Sequence, residues 1–138
     1  MEIRFALAAR QPTAMTDRAM LTVYTYQGCS TCRDAVKWLR EHAIPFAEKP
    51  IRETPPSLPE LRAMLAARTG EIRRLFNTSG MDYRAMGLKD TLPTLTTDAA
   101  LALLTKNGNL VKRPFAFDSA AAIFLLGFKP DEWKAALT

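Results

Sequence analysis

Both cysteines of the chain lie in one short stretch, YQGCSTCRDAV (residues 26–36), three positions apart, where an apolar run ends and a helical pattern begins. The run before them, LTVYTY (21–26), is rich in β-branched and aromatic residues and is halted by Gln27-Gly28, which reads as a buried strand followed by a turn. From Cys32 the apolar positions Cys32, Val36, Leu39 and Ala43 are spaced four, three and four apart, the stripe of an amphipathic helix. Ile44-Pro45 ends that stripe, and PFAEKPI resumes as a short strand before the Pro-rich ETPPSLP. Strand, helix and strand in this order form the βαβ unit of a parallel sheet.

The middle of the chain reads as helical. Ser57 stands where an N-cap would, with Pro59 and Glu60 suited to a first turn and Leu58, Leu61 and Leu65 marking a helix that ends near Gly70. A shorter helix is expected over Glu71–Phe76 and a helical turn around Met81–Met86. Another helix, capped by Thr96 or Thr97, is stopped by Asn107-Gly108. Strand patterns then return: LVKRPFAF, a turn at Asp118-Ser119, and AAAIFLLGF read as a β-hairpin. Pro130, Asp131 and Glu132 open a last helix expected to turn Trp133, Ala136 and Leu137 inward. The string is α/β: βαβ, a helical insertion at about 57–107, then ββα.

A chain of 138 residues, 48% hydrophobic and 24% charged, is the size of one globular domain able to bury a core without disulfide staples. Residues 20–138 are expected to form that domain. Residues 1–19 read as a disordered extension, with Met20 a candidate start, because MEIRFALAAR has only a five-residue apolar patch before Arg10, too short for a secretory segment. The longest apolar stretch, Ser119 to Phe128, is far too short to span a membrane. Basic residues outnumber acidic ones 19 to 14, for a net charge of +5, and are dispersed. That surplus suits an acidic partner without naming one, and no nucleic-acid-binding motif is present. Arg62, Arg68, Arg73 and Arg74 read as the solvated faces of amphipathic helices. Two cysteines do not make a secreted disulfide framework, so a reducing cytoplasm and a monomer are expected.

The cysteine pair has three readings. A structural zinc needs four N or S ligands; beyond the cysteines only His42 qualifies, some ~15 Å along the helix from Cys32 at 1.5 Å rise per residue. No metal site is expected. Two inert buried residues would suit Cys32, on the apolar stripe, better than Cys29. Cys29 falls at a helix N-terminus, where unpaired N–H groups and the helix dipole favour a thiolate and lower a pKa that is ~8.5 in a free cysteine. Cys29 is then the nucleophile, and Cys32, one turn deeper, the thiol that resolves a mixed disulfide. A Cys-x-x-Cys beside a βαβ pattern is a redox signature, but it does not separate a reductase from a sensor. Thr31, between the cysteines, is expected to offer its backbone N–H to a bound sulfur or oxyanion, or its hydroxyl merely to cap the helix, with Ser30 beside it in the binding set. Trp38 and Trp133 read as packing residues.

Three motifs, YTYQGCSTCRDAVKWL, LVKRPF and LLGFKPDEW, taken in order at these separations, resemble the arsenate reductase and Spx-like branch of the thioredoxin superfamily. LFNTSGMDYRAMGLKDTLPTL adds a likeness to its less well understood reductase-like members. The resemblance implies a thioredoxin-like mixed four-stranded sheet interrupted by a helical subdomain. It implies that Cys29 is the nucleophile, that Arg113 faces it with a permanent charge and a donor fork, and that Pro114 is the cis-proline of such folds. It also implies departures. Asn77 stands where glutaredoxin-coupled arsenate reductases carry a second arginine, with Arg73 and Arg74 nearby, and no arginine follows Arg113. A one-arginine pocket would hold arsenate weakly.

Three functions follow as expectations. The first is a thiol–disulfide oxidoreductase acting on a disulfide or a glutathione mixed disulfide, with no bound cofactor and with glutathione, glutaredoxin or thioredoxin as electron donor. The second is a Spx-like redox regulator that binds RNA polymerase. The third, behind both, is glutaredoxin-coupled arsenate reduction. Lys89, in GLKD, is a further candidate neighbour of the site.

Overall fold

The computed structural model describes residues 20–138, so the disordered extension expected at 1–19 lies outside the described residues. Strand β1 (Leu21–Thr25) runs into helix α1 (Ser30–Glu41) and returns as strand β2 (Phe46–Pro50). β1 and β2 are parallel, Leu21 opposite Phe46 and Thr25 opposite Pro50. The middle of the chain holds α2 (Leu58–Ala67), α3 (Met81–Ala85), α4 (Leu88–Thr91) and α5 (Thr97–Lys106). Then come β3 (Phe115–Asp118), β4 (Ile123–Leu126) and α6 (Pro130–Leu137). β3 is antiparallel to both β1 and β4, giving the order β2-β1-β3-β4. This is the mixed four-stranded βαβ…ββα sheet expected.

Side chains alternate across a strand, and β1 divides the core accordingly. Leu21 and Val23 join Ala35, Leu39, Ala116, Leu125 and Trp133 under α1 and α6. Tyr24 joins the larger cluster with Ile51, Leu61, Met64, Leu101 and Phe115 under the inserted helices. The first face closes on Trp133, fully buried and edge-on to Phe128 at 5.1 Å and Trp38 at 6.3 Å. Its indole N–H donates to the Gly127 carbonyl at 3.0 Å, satisfying the one polar atom that burial would otherwise strand.

The insertion is fastened to the sheet by polar contacts legible in part from sequence. Ser57 and Glu60 form a reciprocal capping box at the start of α2. The same Glu60 oxygen accepts the Tyr24 hydroxyl of β1 at 2.8 Å. At the other end of α2, Arg68 donates to the Phe124 carbonyl of β4 and pairs with Glu132 of α6 at 3.5 Å. Arg68 is therefore a half-buried clasp rather than a solvated-face cation.

Several elements differ from the sequence pattern. Ala43 continues the apolar spacing but lies past α1, exposed and at φ 54°, since His42 closes the helix. Glu71–Phe76 is a single 3-10 turn, Ile72–Leu75. LVKRP does not pair in the sheet: Gly108–Leu110 is a 3-10 turn, and Val111 bridges Phe76 instead. A 3-10 turn, Ser119–Ala121, occupies the hairpin connection, so the second strand begins only at Ile123. In α6 Trp133 is buried and Leu137 packs beside it, but Ala136 faces solvent.

Candidate functional site

The cysteines sit where β1 hands over to α1. Cys29 N–H donates to the Tyr26 carbonyl at 3.0 Å, closing a tight turn, and Cys29 is the N-cap of α1. Its sulfur occupies the place usually taken by a Ser or Asp oxygen, accepting the Cys32 backbone N–H at 3.3 Å. The first turn of α1 carries no acidic residue, so the helix's positive end acts on that sulfur without a competing carboxylate.

The two thiols are free and unequal. Cys29 is partly exposed and Cys32 buried. Burial, the largest single influence on Cys29, opposes its ionisation. Hydrogen bonds from the Cys32 thiol and the Cys32 backbone, followed by hydrogen bonding and charge from Arg113, outweigh it and hold the thiol below its ordinary value. Cys32 is pushed up to about 12, chiefly by burial. A backbone hydrogen bond at Tyr26 pulls the other way, and the hydrogen bond and charge of Cys29 add to the rise. One sulfur is thus presented as the nucleophile, with the other held protonated beneath it.

Arg113 approaches from the far end of the chain. Its peptide bond to Pro114 is cis, and Pro114 is buried while Arg113 is partly buried. Arg113 Nη1 is buried without a hydrogen-bond partner, while hydrogen bonding and, after it, positive charge from the same side chain act on the Cys29 sulfur. The guanidinium carbon lies 5.0 Å from the centroid of the Tyr26 ring. A second guanidinium, Arg52, lies 4.8 Å from the same ring. Asp82 carries the counter-charge. Its carboxylate accepts from Asn107 Nδ2 at 3.0 Å and Asn109 Nδ2 at 3.3 Å. Those bonds, with smaller attractions to Arg52 and Arg113, hold Asp82 below its ordinary value.

Two glycines permit this packing. A Cβ on Gly28 would come within 2.8 Å of the Tyr26 ring, and one on Gly108 within 1.8 Å of the Ile51 carbonyl oxygen. Gly108 lets the turn bearing Asn107 and Asn109 close against the segment that carries Arg52.

A cysteine at the cap of the first helix, a buried partner three residues on and an arginine before a cis-proline are the geometry the motifs imply. The sequence pattern of the ArsC family matches residues 24–136. The chain belongs to the ArsC family. It is 42% identical to the uncharacterized protein YusI of Bacillus subtilis, over 83% of this chain and 95% of that one. It is 33% identical to the global transcriptional regulator Spx of Enterococcus faecalis, over 82% of this chain and 83% of that one. Among solved structures, an ArsC family related protein from Bacteroides fragilis superposes with a TM-score of 0.79 at 39% identity, covering 86% of this chain and 98% of that one. The fold is thioredoxin-like.

Within this ArsC-family chain the structure brings Cys29, Cys32 and Arg113 together, with Pro114 following Arg113 across the cis bond. Ser30 and Thr31 are exposed in the first turn of α1. The helix cap is the Cys29 sulfur, so the Thr31 hydroxyl is not needed there. Thr31 and Arg113 line a cleft of about 670 Å³ whose wall also carries Arg73, Arg74, Lys112 and Lys129. Lys89 lines a separate hollow with Tyr83 and Leu92.

Sequence reasoning passed over Tyr26, Arg52, Asp82 and the Asn107/Asn109 pair. Tyr26 lies inside the cysteine motif, where the pattern reads only as the end of a strand. The others sit on turns distant in sequence, and only the fold makes them neighbours. Arg73 and Arg74 lie near the position of the absent second arginine in the sequence. They line the cleft, while the cation acting on Cys29 is Arg113.

Proposed function

We propose that this ArsC-family chain is a thiol–disulfide oxidoreductase. The observation supporting it is the inequality of the two thiols: Cys29, partly exposed and held below its ordinary pKa, above buried Cys32, pushed up to about 12. The Cys29 thiolate bonds to one sulfur of a substrate disulfide, and the other substrate sulfur leaves as a thiolate that takes a proton from water. Once Cys29 is in a mixed disulfide its negative charge is gone, and with it part of what raises Cys32. Cys32 then gives its proton to solvent, bonds to the Cys29 sulfur and expels the second substrate thiol. The substrate gains two electrons and the pair becomes a disulfide. A thiol reductant, either glutathione or a dithiol protein of the glutaredoxin or thioredoxin class, restores it. The reaction fits a reducing compartment such as the cytoplasm.

The test is a redox titration of the Cys29–Cys32 couple with turnover of a glutathione mixed disulfide. A potential near the cytosolic glutathione poise with measurable turnover is expected. A potential far more reducing, with no turnover, would remove the proposal.

A second reading draws on the 33% identity to a protein named global transcriptional regulator Spx. In it the same pair switches contact with RNA polymerase. Capture of polymerase that depends on the oxidation state of the pair favours it. Arsenate reduction ranks last, because Arg113 is the only guanidinium acting on the Cys29 sulfur among the described residues and an oxyanion there would lack further charge-assisted bonds.

A further inference from the structure

Thiol chemistry leaves open what carries the substrate sulfur, and the cleft beside the cysteines answers to one class. At about 670 Å³ it has the size of a site for a ligand of many atoms, far larger than an oxyanion or a simple alkyl thiol needs. Five cations, Arg73, Arg74, Lys112, Arg113 and Lys129, line it with a single carboxylate, Glu71. Glu71 does little to cancel them. Its pairing with Arg74 is 3.7 Å long between side chains 48% and 61% exposed, where such pairs contribute almost nothing. Among the described residues the other four cations form no ion pair. Like charges gathered on one concave wall repel one another and focus a positive potential into it, which a negatively charged ligand relieves.

The cleft's aromatic rings are already engaged. Phe76 is buried against Tyr83 at 6.2 Å, and Phe128 packs against Trp133 and Trp38. Among the described residues that line the cleft, no free aromatic platform is left on which bases could stack, as single-stranded nucleic acids require. A partner of Cys29 must also bring a sulfur, which polypeptides carry and nucleic acids do not. We propose that the substrate disulfide is borne by an acidic peptide segment, whose carboxylates lie in the Arg73–Arg74–Lys112–Lys129 cleft while its sulfur meets Cys29. This rests on the thiol–disulfide reading and adds the substrate class to it.

The test uses the intact reduced protein and two synthetic peptides of equal length. Each carries the same mixed disulfide with a neutral leaving thiol, flanked by Asp and Glu in one and by Lys in the other. A neutral aromatic disulfide serves as reference. At low ionic strength the acidic peptide is expected to react about tenfold faster than the basic one or more, the scale of electrostatic steering, and the ratio to shrink as salt rises. The double variant Arg73→Gln/Arg74→Gln is expected to lose most of that ratio. Lys129→Gln, on a different element, is expected to lower it independently, so misfolding of one variant does not leave the question open. Equal rates for the two peptides, with brisk reaction of the neutral disulfide, would overturn the acidic substrate and leave the thiol chemistry standing. No reaction with any of the three would overturn both. A ratio unchanged in correctly folded variants would overturn the assignment to this cleft.

Discussion

The two walls of the candidate site differ in origin and in how exposed their side chains are. One is built from the βαβ…ββα frame: the turn at Tyr26–Cys29, the first turn of α1, and Arg113–Pro114 ahead of β3. Short backbone hydrogen bonds fix it, including Cys29 N–H to the Tyr26 carbonyl at 3.0 Å and Gly127 N–H to the Pro114 carbonyl at 2.9 Å. The other wall comes largely from the insertion, where Arg73 and Arg74 ride on a 3-10 turn with exposed side chains. The walls are sewn together around the Phe76–Val111 bridge, by Asn77 N–H to the Leu110 carbonyl at 2.7 Å and Lys112 N–H to the Leu75 carbonyl at 2.8 Å. Bond making demands fixed geometry, which the frame supplies. Recognition tolerates mobile cations on a rigid support. Substitutions in the frame should therefore change whether the reaction occurs, and those in the insertion which substrate is chosen.

The largest effect is expected at the cysteines. Cys29→Ser should abolish disulfide exchange outright. Cys32→Ser should keep the first step and stop there, accumulating a substrate adduct on Cys29 visible by intact-protein mass spectrometry. An adduct on Cys32 in the Cys29→Ser protein, formed as fast as on Cys29, would break the contrast between an exposed nucleophile and a buried resolver.

Next in size is Arg113. Because the folded Cys29 thiol ionises below its ordinary value, its alkylation rate should rise with pH through that lowered pKa and level off above it. Arg113→Gln removes a positive charge beside the thiolate, so the inflection should move to higher pH. Cys29 is partly exposed, so solvent screens part of that charge. The variant should be about tenfold slower on the acid side and converge with the parent in alkali. The same linkage acts on stability. A group with a depressed folded pKa stabilises the fold above its unfolded value, and that contribution is lost as pH falls through the folded one.

How far the site was legible in the sequence follows from how local each interaction is. The Ser57 cap of α2, with Glu60 in its first turn, is made locally, and residue types at fixed spacing announce it; the cap of α1 is the Cys29 sulfur instead of the Thr31 hydroxyl. The chain ahead of β3 misled because Leu110, Val111 and Lys112 have strand-like composition, yet their partners are Asn77 and Leu75 in the insertion. Ala43 kept the helical spacing after the helix had closed. Arg68 looked like any surface arginine because the Phe124 carbonyl and Glu132 that fix it lie far along the chain. Arg113 and Pro114 were placed by family likeness rather than by periodicity. Neither composition nor spacing could have brought Arg52 to the Tyr26 ring.

That ring sharpens the comparison at smaller scale, since it belongs to the frame but holds a guanidinium from each flank. Tyr26→Leu removes the aromatic face under Arg113 and Arg52, an interaction of about 0.5–2 kcal/mol. Cys29 should then titrate higher, with a several-fold loss of rate near neutrality. Tyr26→Phe keeps the face and should restore both. If Phe fails where Tyr succeeds, the hydroxyl rather than the ring matters.

The smallest expected effect tests whether the insertion reaches the sulfur at all. Asp82 is tied to Asn107 and Asn109 and attracts Arg52 and Arg113. Asp82→Asn deletes a negative charge whose field partly cancels that of Arg113 at Cys29, so by charge alone the thiolate should become easier to form. Solvent screens an exposed carboxylate strongly, hence only a small downward shift in the Cys29 titration, read by ultraviolet thiolate absorbance. A downward shift that disappears at high salt means that Arg113 keeps its place without Asp82 and the walls are coupled only through the field. An upward shift means that the carboxylate holds Arg113 over the sulfur, and the insertion then takes part in the chemistry as well as in the choice of substrate.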